Sequence, residues 1–138
     1  MNNLLFLGFL AHLWGDYIFQ NHWMAVRKKT KLLAAFLHAL FYSMPFIVFV
    51  YLGHITPLGL LIIGGTHMLI DYFGIQKVLT FLGIGVVNGF VPRLFSKLDL
   101  PTDPELNPPP PFLSVWLAII VDNIFHITIN SVVLLLGL

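Results

Sequence analysis

Apolar residues gather into four long windows at about 4–24, 32–52, 58–75 and 112–137, each near the roughly 20 residues an α-helix needs to cross the hydrocarbon of a bilayer. The pattern predicts an all-α, polytopic membrane protein with four transmembrane helices in a single domain. The first window does not read as a cleavable signal: it lacks a basic start, is too long for such a segment and carries Asp16. Pro45 predicts a kink in the second helix, and Pro57 suits the first turn of the third, where its missing amide costs little. The stretch 78–95 is apolar but broken by Gly83, Gly85, Gly89 and Pro92 and flanked by Lys77, Arg93 and Lys97. An interfacial or re-entrant segment fits it better than a fifth span. Residues 99–111 end in four consecutive prolines and read as an extended linker.

Composition reinforces the choice of solvent. Of 138 residues, 58% are apolar and 9% charged, whereas a soluble domain carries roughly a quarter of its residues charged. The absence of cysteine excludes disulfides, thiolate metal sites and thiol nucleophiles. A formal net charge of +1 gives no reason to expect a nucleic-acid partner. Placement of the charges says more, because Arg27, Lys28, Lys29 and Lys31 crowd the loop between the first two windows. That loop is expected on the cytoplasmic side. Arg27, Lys28, Lys29, Arg93 and Lys97 would bind anionic headgroups there.

The polar residues left inside the windows carry the functional signal. His12 and Asp16, His67 and Asp71, and Asp122 and His126 are each one histidine and one aspartate four residues apart. At that spacing two side chains share a helical face. Chance alone would pair all three aspartates this way on the order of once in a thousand. An ionised aspartate at mid-membrane costs roughly 2.5–3.5 kcal/mol, so something must offset three of them. Measured along the helices at about 1.5 Å per residue, Asp16, His38, His67 and Asp122 share a layer about 10–15 Å from the cytoplasmic ends. Gln20, Asn123 and Asn130 extend the same faces, either to orient ligands or substrate from behind or as interhelical hydrogen bonds. His22 and His54 fall at helix ends, where a solvated role is expected.

Mixed imidazole and carboxylate side chains on adjacent helices favour a divalent metal centre, zinc first, with manganese or iron as alternatives. His12, Asp16, His67, Asp71, Asp122 and His126 are the candidate ligands, and His38, or whichever carboxylate is left uncoordinated, the candidate general base. This set exceeds one tetrahedral shell, so some members lie behind the ligands or two ions share the site. Competing readings are a structural hydrogen-bond network, a proton or ion relay and, last, haem held by His38 and His67, which would leave the aspartates unexplained.

The runs HLWGDYIFQNHWMA, HALFYSMPF, THMLIDYF and PPFLSVWLAIIVDNIFHITIN resemble the domain of unknown function 3307 family, small integral membrane proteins of bacteria and phages. The shared pattern HxxxD, His, HxxxD and DNxxH falls on His12, Asp16, His38, His67, Asp71, Asp122, Asn123 and His126. In motif style it is also similar to predicted membrane-bound metal-dependent hydrolases. The resemblance implies a multi-pass protein of the bacterial inner membrane. Together the two lines lead to the expectation of a metal-dependent hydrolase acting on a lipid-linked or membrane-associated ester or phosphoester. The alternative is a proton, metal or ion translocation unit or a non-enzymatic accessory subunit. The expected partners are the lipid bilayer, an anionic lipid or lipid-linked substrate, and a second copy of the chain, with no nucleic acid.

Overall fold

The computed structural model describes residues 2–74 and 111–138, and every regular element among them is helical. In chain order these are α1 (Asn2–Leu13), a π-helical turn (Trp14–Ile18), α2 (His22–Arg27), α3 (Leu32–Ser43), a 3-10 turn (Met44–Phe46), α4 (Ile47–Tyr51), α5 (Pro57–Phe73) and α6 (Pro111–Leu136). The expected segment at 78–95, the linker at 99–111 apart from Pro111, and Arg93 and Lys97 lie outside the described residues. The chain divides into two compact units, Met1–Gly74 with Phe125–Leu138, and Ile75–Ile124.

The all-α expectation holds among the described residues, but the count of spanning helices needs correction. Among the described residues two helical stretches, not four, are long and apolar enough to cross a membrane: Leu32–Tyr51 and Ala118–Leu136. The first expected window fails as one helix because its backbone widens into the π-helical turn and then stops. Asn21 adopts an extended conformation, accepts a hydrogen bond from the Met24 amide at 2.9 Å and starts α2 as a separate helix. The third window does form a helix, yet its ends are tightly set. The Thr56 hydroxyl accepts from the Gly59 amide at 3.1 Å with Pro57 in the first turn, and Gly74, at φ +70°, closes the other end. The resulting α5 has 17 residues. Pro45 lies in the 3-10 turn that joins α3 to α4, where its lost amide donor is accommodated.

Within the first unit, α3 and α5 form the most extensive helix pair. A small apolar core of Ala11, Tyr42, Phe46, Ile63, Val133 and Leu134 ties α1, α3, α5 and the end of α6 together. Polarity is otherwise inverted relative to a water-soluble domain. His12, Asp16, Lys28, His38, His67, Asp71, His126 and Asn130 are buried, while Phe6, Leu33, Phe36, Ile47, Leu61, Leu69, Phe73 and Leu136 are exposed. A surface this apolar needs a cover.

Candidate metal centre

Three elements deliver four side chains with metal-binding donor atoms to one buried point. Asp16 comes from the π-helical turn, His38 from α3, and His67 and Asp71 from successive turns of α5. π-helical turns recur at functional sites. Here one occurs where Gly15 lies against the Tyr42 backbone, so close that a Cβ on Gly15 would meet the Tyr42 carbonyl oxygen at 2.5 Å. That approach brings Asp16 to α3.

The atoms facing one another are Asp16 Oδ1, His38 Nε2, His67 Nε2 and Asp71 Oδ2. His38, His67 and Asp71 form a nearly equilateral triangle, with edges of 3.0 Å between the imidazoles and 3.2 and 3.1 Å from them to the carboxylate. Asp16 Oδ1 stands 3.1 Å from His38 and 3.8 Å from His67. Ligands held 2.0–2.1 Å from a tetrahedral zinc ion stand roughly 3.3 Å apart, so this donor set already has the dimensions of a coordination shell. Alignment points the same way. Asp71 Oδ2 has three nitrogens within 3.2 Å, yet none meets it in hydrogen-bond geometry. Contacts this short without directional alignment are what atoms converging on a common centre give. The residues present therefore fit a divalent metal ion.

Lys28 is the residue that sequence reasoning misplaced. Its neighbours Arg27, Lys29 and Lys31 are exposed, but Lys28 is buried. The headgroup assignment is corrected at this position. Lys28 Nζ lies 3.0 Å from Asp71 Oδ2, 3.5 Å from Asp16 Oδ1 and 3.2 Å from His38 Nε2. A basic run gives no sign of which member turns inward, although a cation beside two buried carboxylates offsets their cost.

A second layer lies one helical turn away. His67 Nδ1 is 3.1 Å from His126 Nδ1, so the two imidazoles share one proton-bearing contact. The Tyr42 ring stacks on His67, with centroids 3.5 Å apart and planes inclined by 9°. The Tyr42 hydroxyl accepts from Asn130 Nδ2 at 2.6 Å and lies 3.0 Å from His12 Nδ1. Of the two expected as ligands, His12 thus contacts Tyr42, and His126 contacts His67 through the nitrogen that faces away from the four converging atoms. Tyr42 was not foreseen, although it lies four residues after His38 and so repeats the spacing of the three His/Asp pairs.

Asp122 and Asn123 belong to the second unit, where Asp122 is half-buried and Asn123 Nδ2 donates to the Ile119 carbonyl of its own helix at 2.7 Å. Gln20 lies in the break after the π-helical turn with Oε1 buried and without a hydrogen-bond partner among the described residues. His22 and His54 are exposed.

No curated protein and no solved structure matches the chain. One family model does, over residues 4–97, a span that contains Asp16, Lys28, His38, His67 and Asp71 and stops short of α6. The chain therefore belongs to the family described as protein of unknown function DUF3307.

Proposed function

We propose that this protein is a metal-dependent hydrolase of the bacterial inner membrane that acts on a membrane-associated ester or phosphoester. The observation that carries the reading is the convergence of Asp16, His38, His67 and Asp71 at 3.0–3.8 Å in a buried pocket of helices. His38, His67 and Asp71 would be the protein ligands, a two-histidine, one-carboxylate set of the kind that leaves a coordination position open in catalytic zinc sites. When bound, such an ion acts as a Lewis acid that polarises an ester or phosphoryl oxygen and activates water. Asp16, offset from His67 but 3.1 Å from His38, is placed to accept a proton at Oδ1 as general base. His38 thereby changes role, from the expected base to a ligand. His126 would hold the His67 ring through its Nδ1, which keeps Nε2 directed at the ion.

Burial of the polar side chains beneath an exposed apolar exterior supports a lipid setting. In the four-span form of this reading α5 is the short span, about 25 Å long, which local thinning accommodates. The first window crosses as α1 continued by the π-helical turn. The basic loop faces the cytoplasm, the exposed Arg27 and Lys29 meet anionic lipid, and self-association remains part of the reading. Elemental analysis of detergent-purified protein tests it: about one zinc, manganese or iron per chain is expected for a single four-atom site. A protein that is isolated metal-free and binds none of the three at micromolar levels would sink the proposal.

One observation favours a second reading, a proton relay. His126, His67, His38 and Asp16 follow one another at 3.1, 3.0 and 3.1 Å, a continuous line of groups that exchange protons. Proton flux into vesicles by metal-free protein would select it.

A further inference from the structure

Resting on that metal-centre reading, we infer that Lys28 is the resident cation of the unloaded centre, a built-in competitor that an incoming metal ion displaces from its carboxylates toward the loop surface. Three observations lead there.

The ion pair is the first. Lys28 Nζ lies 3.0 Å from Asp71 Oδ2 and 3.5 Å from Asp16 Oδ1, the two carboxylate oxygens among the four converging atoms. Carboxylates buried without a cation are costly, and the ammonium supplies one. A divalent ion that takes the same oxygens supplies positive charge of its own and sets it beside the ammonium, where little water screens the repulsion. An ammonium has donors and no acceptor, so it cannot join the coordination shell instead. The carboxylates keep a cation in both states, but not the same one.

Exposure is the second. Lys28 and Asp16 keep 11% and 7% of their side-chain surface exposed, against 0–1% for His38, His67 and Asp71. Of these five side chains, the two nearest the outside are thus the ammonium and its more distant carboxylate partner. The way to the surface runs past Lys28, at the loop between α2 and α3 where Arg27, Lys29 and Lys31 are exposed.

The backbone is the third. The Lys28 amide donates to the Met24 carbonyl at 2.9 Å, and the Thr30 and Lys31 amides donate to the Arg27 carbonyl at 2.9 and 2.8 Å. These bonds hold the turn in place. Displacement therefore asks only for rotation of the flexible four-carbon stem, which lets the ammonium reach water while its methylenes stay against apolar surface.

The test uses full-length protein in nanodiscs, stripped of metal or loaded with zinc, with bound zinc measured by elemental analysis in each sample. Acylation by a water-soluble N-hydroxysuccinimide ester, mapped by mass spectrometry, reads the accessibility of each lysine, and the exposed Lys29 and Lys31 are the reference. In metal-free wild type Lys28 is expected to react about tenfold or more slowly than both, and in loaded protein to approach their rate. A Lys28 that stays protected in protein holding zinc, or that reacts as fast as Lys29 without it, overturns the inference and leaves the metal centre standing. A wild type that binds no zinc removes the metal centre, and the inference with it. Lys28→Met supplies an independent readout. Because the ion pair stabilises only the metal-free form, the variant is expected to bind zinc about tenfold or more tightly than wild type. Its thermal unfolding is expected to shift down without metal and to match wild type when loaded. Unchanged or weaker zinc binding, or an equal loss of stability in both forms, also overturns the inference, since Lys28 would then be a permanent part of the site.

Discussion

Tyr42 and His67 lie ring on ring, 3.5 Å between centroids and 9° from parallel, and the same tyrosine hydroxyl joins Asn130 to His12. One side chain therefore fixes the plane of a candidate ligand with its ring and ties α1 to α6 with its oxygen. These two roles are separable. Tyr42→Phe keeps the ring and strands two buried polar groups, at a cost of about 1–3 kcal/mol. Its bound metal is expected to match wild type while its thermal unfolding shifts down. Tyr42→Ala removes the support under His67, and its metal affinity is expected to fall by about tenfold or more.

Substitutions within and behind the donor set should separate into two classes. His38→Ala and Asp71→Asn each remove an atom of the triangle with edges of 3.0–3.2 Å, and both are expected to lose stoichiometric metal. His126→Ala removes the partner of His67 Nδ1. Its affinity is expected to drop by roughly 10–100-fold, with the stoichiometry retained at saturating metal. Competition with a coloured chelator measures all three. Equal losses would mean that His126 stands among the ligands.

Much of this site was legible in the sequence because a polar side chain in an apolar window is costly to bury unless it finds a partner there. The spacing of His67 and Asp71 placed both on one face of α5, and the structure brings them to the same point. His12 and Asp16 have the same spacing, yet they go to different partners, Tyr42 and His38. What separates them is the π-helical turn at Trp14–Ile18, which depends on packing of Gly15 against α3 and leaves no trace in a hydrophobic pattern. Lys28 was hidden for a related reason, since a loop of four basic residues looks alike at every position until tertiary contacts select one. The expected count of spans erred where Asn21 interrupts the first window and Gly74 ends the third before the length that composition alone would give it.

Gly15 offers a direct check on that packing. A Cβ there meets the Tyr42 carbonyl oxygen at 2.5 Å and its ring at 2.8 Å, whereas one on Gly65 meets nothing within 4 Å. Gly15→Ala is expected to destabilise the protein by about 1–3 kcal/mol and to weaken metal binding through Asp16. Gly65→Ala, in the interior of α5, is expected to be neutral or to stabilise by about 0.5–1 kcal/mol. Thermal unfolding of both variants in one detergent gives the comparison.

The arrangement of the first window in the membrane can be read chemically, because the chain has no cysteine to confuse the labelling. Three points belong to one end of the first unit. The Thr56 amide donates to the Leu138 carbonyl, Gly8 lies against Leu134, and Leu4 packs on the core that includes Ile55 and Val133. Lys29 follows α2, at the other end of the window. If α1 and the π-helical turn cross the bilayer together, single cysteines at Asn3, His54 and Leu138 react with an impermeant maleimide from one side of the membrane. A cysteine at Lys29 then reacts from the cytoplasmic side alone, as the positive-inside rule requires. Labelling of Asn3 from the same side as Lys29 would leave α1 on the surface, and Asp16 would then approach His38 from the interface rather than from within the bilayer.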